Sequence, residues 1–144
     1  MSGAGQWRGG LGSVREFVYL SDGGASVEGE GHRYRPWGFR GGQEGQPAEL
    51  RLERADGSAV QLPSKVPHTQ VTTGDRFVCI GPAGGGYGQP YARDPECVLN
   101  DVLDGLISVA TARRDFGVVL TPAMTIDTDA TAAARAAHSV RPGA

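Results

Sequence analysis

The side chains of this 144-residue sequence that could carry chemistry are few and dispersed. His32, His68 and His138 show no HxH, HExxH or His-x-x-x-His spacing, so no metal site is expected from this chain alone. Cys79 and Cys97 stand apart, with no CxxC and no nearby histidine, and read as core or partly buried free thiols. No serine lies in a Gly-x-Ser-x-Gly elbow, which leaves a nucleophilic hydrolase without its attacking group. Asp94, Asp101, Asp104 and Asp115 have the spacing of helix caps and solvated faces rather than of an acid–base pair. No catalytic residue is assigned.

Four cations differ from the rest: Arg8, Arg35, Lys65 and Arg93 are each embedded in glycine, proline or aromatic residues. A guanidinium fork suits carboxylates and phosphates, and its stem stacks on rings such as Trp37. Interface or scaffold contact is the expected role, and contact with a substrate anion is the sharper alternative. His32, close to Tyr34 and Trp37, is the best placed of the histidines, and Tyr87 joins the contact candidates. The run Gly84-Gly85-Gly86 could cradle a phosphate through its backbone N–H groups. A P-loop requires Lys-Ser/Thr after its last glycine, whereas Tyr87-Gly88-Gln89-Pro90 follows here, and a dinucleotide fingerprint requires a strand, a turn and a helix. A structural role fits better. It extends to Gly9, Gly10, Gly41, Gly42 and Gly88, because glycine allows backbones to approach closely.

The elements that must position these residues are mainly β. Residues 1–12 form a glycine-rich opening segment. Val14, Val18 and Leu20 alternate with Phe17 and Tyr19 in a strand over 13–20, and Asp22-Gly23-Gly24 turns the chain into a weak return strand over 25–30. Leu50 and Leu52 alternate against charge over 49–54, and Asp56-Gly57 turns into a return over 59–62. Pro63, Pro67 and the turn at Thr73-Gly74-Asp75 bracket Lys65, and 76–80 is the last strand of a barrel-like region spanning 13–80. A glycine-rich loop, two short helices and a terminal strand occupy 81–120. Asp94 caps the first helix with Pro95 at its first position, and Ser108 caps the second, through Arg114. Val118-Val119-Leu120 is the strand. Residues 121–144 are an alanine-rich, partly helical or frayed tail. The fold class is therefore mainly β with short carboxy-terminal helices: a small barrel or two packed sheets, with irregular, polyproline-like glycine-rich segments.

Composition bounds the partners. Leu, Ile, Val and Phe make up about one fifth of the chain, a thin supply of core. A net charge of −2 keeps the chain out of the disordered class and points to burial shared with another surface. The 23 glycines follow no Gly-X-Y period, which excludes collagen. Thirteen arginines and one lysine are mixed among acids, so neither nucleic acid nor a membrane is expected as partner, and a cytoplasmic location is. A chain that starts inside a structured motif suggests that preceding residues are missing or belong to another chain.

The motifs occur in a specific order. Ser2-Gly3-Ala4-Gly5-Gln6-Trp7-Arg8-Gly9-Gly10-Leu11-Gly12, Arg35-Pro36-Trp37-Gly38, Gly41-Gly42, Leu62-Pro63-Ser64-Lys65, Gly84-Gly85-Gly86-Tyr87-Gly88, Arg93-Asp94-Pro95, Asp101 to Ser108 and Ala112 to Val119 follow one another. This succession resembles the carboxy-terminal region of the hydantoinase B/oxoprolinase family, with mild departures at Ala83, Gln89 and Phe116. The resemblance implies ATP-dependent enzymes that open cyclic amides, such as N-methylhydantoinase and 5-oxoprolinase, and related ketone carboxylases. It implies a hydantoinase A-type ATPase subunit and the amino-terminal portion of a B-type subunit as partners in a hetero-oligomer. It also implies ATP with Mg, and a metal site in that amino-terminal portion rather than in this chain. The chain would then be a carboxy-terminal fragment or separately encoded part serving as scaffold and interface. A non-catalytic assembly or binding module derived from the family is the alternative.

Overall fold

The computed structural model describes residues 2–139; the end of the expected tail lies outside the described residues. Six strands form two antiparallel sheets, and three short helices follow. The larger sheet has the order β1-β6-β3-β4, from Val14–Val18, Arg76–Ile80, Glu49–Glu53 and Ala59–Leu62. The smaller pairs β2 (Gly23–Glu28) with β5 (Lys65–Val71). Period-two alternation puts Leu50 and Leu52 of β3 beside Cys79 and Phe77 of β6 on one face. That face packs against Val27 of β2 and Val66 and Val71 of β5 in a common core.

The expected hairpin over Asp56-Gly57 forms, with Leu50 opposite Leu62 and Gly57 at a φ of +87°. The barrel does not. Among the described residues β1 and β4 are both open edges, so the architecture is two packed sheets. The first two strands are not a hairpin either: β1 pairs with β6, β2 with β5. The stretch around Lys65, bracketed by Pro63, Pro67 and the turn at Thr73-Gly74-Asp75 and assigned no strand from the sequence, is the strand β5. Pro67 is accommodated at a register shift opposite Ala25–Val27, where the ladder has no need of its missing N–H.

α1 (Pro95–Leu103) begins as expected, with the Asp94 carboxylate accepting from Glu96 N–H. Ser108 caps α2 (Val109–Phe116), which ends on Gly117 in the left-handed region, and α3 spans Thr128–Ser139. Val118-Val119-Leu120 is not a strand: only an isolated bridge from Leu120 to Ile126 forms, because no sheet lies alongside. Val98, Ile107, Ala112, Phe116 and Val118 make a second core, on which Ala4 of the opening segment rests.

Candidate functional site

Three extended segments, around residues 3–10, 36–46 and 82–88, pack backbone against backbone and join the two cores. Trp7 and Tyr87 exchange N–H···O bonds of 2.9 Å in both directions, and Gly3 N–H donates to the Gly84 carbonyl at 2.9 Å. Gln43 N–H donates to the Ala4 carbonyl at 2.7 Å, Phe39 N–H to Gly86 at 2.8 Å and Gly86 N–H to Gln43 at 2.9 Å. Each segment is thus bonded to both others without forming a sheet. Glycine is required by crowding: a methyl on Gly9, Gly42, Gly85 or Gly86 would overlap the carbonyl oxygen of Gly84, Gly86, Trp37 or Ala4 respectively. Gly10, by contrast, faces open space. Gly41 and Gly88 have φ of +92° and +74°. The N–H groups of Gly84 and Gly86 are consumed inside this bundle, by Gly10 and Gln43, which takes two of the run's three donors away from any anion and leaves the structural role as the better reading.

The bundle is fastened to α1 by charge. Asp101, expected on a solvated face, is 6% exposed and receives both Arg8 and Arg93 on one oxygen, at 3.3 and 2.9 Å. Arg8 also reaches the Ser2 hydroxyl at 3.1 Å, and Arg93 the Gln6 carbonyl at 3.2 Å. Arg135 of α3 donates to the carbonyls of Arg93 and Phe116. The structure therefore brings Arg8 and Arg93 together as bundle ties. Asp101 and Arg135 were missed by sequence reasoning. The signal for Asp101 was its position one turn after Val98, on the inward stripe of α1.

The other candidates are spread over the surface. Arg35 is exposed and shares a cleft of about 310 Å³ with Arg8, Glu44, Arg114 and Asp115. Trp37 is 79% exposed, and the arginine–ring stacking found among the described residues is Arg33 over Tyr34, not over Trp37. Trp7, Phe39 and Tyr87 are also exposed, the last two with ring centroids 5.9 Å apart, so aromatic surface lies along the outside of the bundle. Lys65, at the start of β5, is paired with Glu30 at 3.2 Å. His32 lines a cleft of about 340 Å³ with Cys79, Glu28 and Glu49, and neither ring nitrogen has a partner among the described residues. Burial raises the Cys79 thiol above its usual range, so it is no ready nucleophile; Cys97 is exposed, contrary to expectation. No group of three His, Cys, Asp or Glu side chains among the described residues could hold a metal ion.

The hydantoinase B/oxoprolinase family model matches residues 1–90. A protein assigned as the B-type component of a D-/L-hydantoinase, from Pseudomonas sp. (strain NS671), is 46% identical over 131 residues, 90% of this chain and 22% of that protein. The caprolactamase beta chain of Pseudomonas jessenii is 36% identical over 143 residues, 94% of this chain and 24% of its own length. The crystal structure of that ATP-dependent caprolactamase superposes on 92% of this chain with a TM-score of 0.76. Nucleotide-free acetone carboxylase, 21% identical, shares the fold with a TM-score of 0.72 over 96% of this chain and 23% of its own. The chain thus spans less than a quarter of the length of these relatives. The ordered glycine segments, their backbone packing and these matches agree: the chain belongs to the hydantoinase B/oxoprolinase family.

Proposed function

We propose that this chain is the carboxy-terminal part of a B-type subunit in an ATP-dependent cyclic-amide hydrolase, where it provides scaffold and interface rather than the reacting groups. The observation that carries this is the glycine bundle. Its cations Arg8 and Arg93 are engaged with Asp101 inside the chain, while the rings of Trp7, Trp37, Phe39 and Tyr87 remain outside it, available to another surface. Aromatic residues are enriched where interfaces form. Hydantoin or 5-oxoproline is the substrate class in keeping with the family, and the compartment is the cytoplasm. ATP with Mg, and the family's metal, belong to the A-type ATPase subunit and the amino-terminal portion of the B-type subunit. The donor set among the described residues of this chain does not fit a metal, and the scaffold role needs none.

A chimera tests this. The matched carboxy-terminal region of the caprolactamase beta chain is replaced by this chain, the chimeric subunit is assembled with its natural partner, and ATP-dependent ring opening is measured. Turnover within about tenfold of the parent is expected, since an exchange of scaffold that keeps the reacting groups in place leaves unchanged the orientation on which the rate depends. A folded, assembled chimera without activity would refute the scaffold reading.

A further inference from the structure

The larger sheet ends on a strand bonded on one side only. β1 reaches β6 through its odd-numbered neighbourhood: Tyr19 N–H donates to the Asp75 carbonyl at 2.9 Å, and Gly81 N–H donates to the Ser13 carbonyl at 2.7 Å. Backbone groups alternate sides along an antiparallel strand. Val14, Glu16 and Val18 therefore direct N–H and C=O away from β6, where no described strand pairs with them. All five residues of β1 are exposed, with Val14 and Val18 on one face and Phe17 on the other. Beside Val14 an apolar cleft of about 220 Å³ runs between Leu11, Ile80 and Ala83, open to an incoming side chain. Free-standing proteins blunt such edges with lysine, proline, a bulge or a cover. β1 has no lysine, proline or bulge; its one device of this kind is charge, with Arg15 placed on the core face opposite Cys79 and Glu16 on the other. The opposite edge, β4, is four residues long and stops at Pro63.

We propose that the β1 edge is completed by a strand added from the remainder of the B-type subunit, which rests on the reading of this chain as part of such a subunit. The relatives that match it carry more than three times as much further chain. Main-chain bonds at Val14, Glu16 and Val18 supply the affinity of strand addition, and the side chains supply its register. The residues opposite Val14 to Val18 are apolar, acidic, basic, apolar and apolar in turn, answering Val14, Arg15, Glu16, Phe17 and Val18. A second copy of this chain fits less well. A two-fold axis normal to the sheet, in the centred overlap, sets Glu16 directly against its own counterpart, a like-charge contact that the ion pair from Glu16 to Arg76 at 3.0 Å only partly offsets.

Amide hydrogen exchange resolved by residue tests the assignment. In the free chain the amides of Val14, Glu16 and Val18 exchange as open-edge groups while those of Arg15 and Phe17 are protected. In the chimeric caprolactamase chain all five are slowed, the outer three by on the order of 100-fold. Glu16→Pro, which removes a donor that β6 does not use, lowers the thermal midpoint of the chimera more than Glu16→Thr does, and the two variants differ little in the free chain. Unchanged exchange at the outer amides on going from free chain to chimera overturns the proposal, as does their protection in a free chain of doubled mass. Should the chimera not fold, the same reading is taken on the complete caprolactamase beta chain, at the strand that superposes on β1. Loss of ring opening with the amides protected counts against the proposed function and leaves the added strand standing.

Discussion

The two halves of the molecule are held by opposite means. In the sheet half, Leu50, Leu52, Val71 and Phe77 are at most 2% exposed and the core is made of side chains, which can adjust to one another. In the glycine bundle the closest contacts, at Gly9, Gly42, Gly85 and Gly86, are with peptide groups, which cannot adjust as side chains do. The same physics forces glycine onto the axis of collagen, although no repeat runs through this chain. The lesson is that a sequence poor in large apolar residues can still be ordered when backbones replace side chains as the packing material. Such a region gains rigidity and loses tolerance.

The sharpest way to break this contrast is to compare neighbouring glycines. Gly9→Ala drives a methyl into the Gly84 carbonyl, and separation of the two segments is the only relief. A loss of roughly 3 kcal/mol or more is expected, seen as a collapse of the thermal midpoint or of soluble yield. Gly10→Ala meets nothing within 4 Å and should fall within about 0.5 kcal/mol of the parent. In the sheet half, Leu52→Val, which deletes one buried methylene, should cost about 1 kcal/mol. If a methyl at Gly9 costs no more than that, the bundle is as compliant as an ordinary core and the distinction fails.

Next in size is the charge that ties the bundle to α1. Asp101→Ala leaves Arg8 and Arg93 facing each other, with side chains only 16% and 13% exposed. Breaking a buried pair by removing one partner costs roughly 3 kcal/mol. Near-ultraviolet dichroism of Trp7 should lose its ordered signal with it, since the Gln6 carbonyl is held by Arg93. Retention of both stability and signal would mean that the backbone bonds alone hold the bundle.

This contrast also marks what the sequence could yield. The hairpin at Asp56-Gly57 and the helix starts at Asp94 and Ser108 were legible because cap and turn chemistry is local. The family was legible because glycine and arginine occur in a fixed order. The pairing of β1 with β6 rather than β2 was not, since Gly23-Gly24 looks like a turn whether or not the flanking strands meet. Nor was the pairing of Arg8 with Arg93 around Asp101, which lie far apart in the chain and need the fold to meet. The glycine clusters announced close approach without saying what approaches what.

The sheet half has its own buried acid, and its pH response provides the finest comparison. Asp75 is 1% exposed and accepts from Thr72 N–H at 2.9 Å, Ala55 N–H at 3.0 Å and the Arg54 guanidinium at 2.8 Å. The backbone bond from Thr72 leads in holding its carboxyl down, from an ordinary 3.8 to about 2, with Arg54 and Ala55 adding to it against the cost of burial. A depressed folded value means that the unfolded chain takes up the proton first on acidification. The stabilising contribution is therefore whole above about pH 4 and drains away as pH falls toward 2. In thermal melts from pH 6 to pH 2, Asp75→Asn should lie below the parent on the neutral plateau and converge with it at the acid end. Asp101→Ala should keep the acid limb, because Asp75 is untouched in it. A parent and an Asp75→Asn variant that run parallel down to pH 2 would show that this carboxylate does not govern the acid response of the sheets.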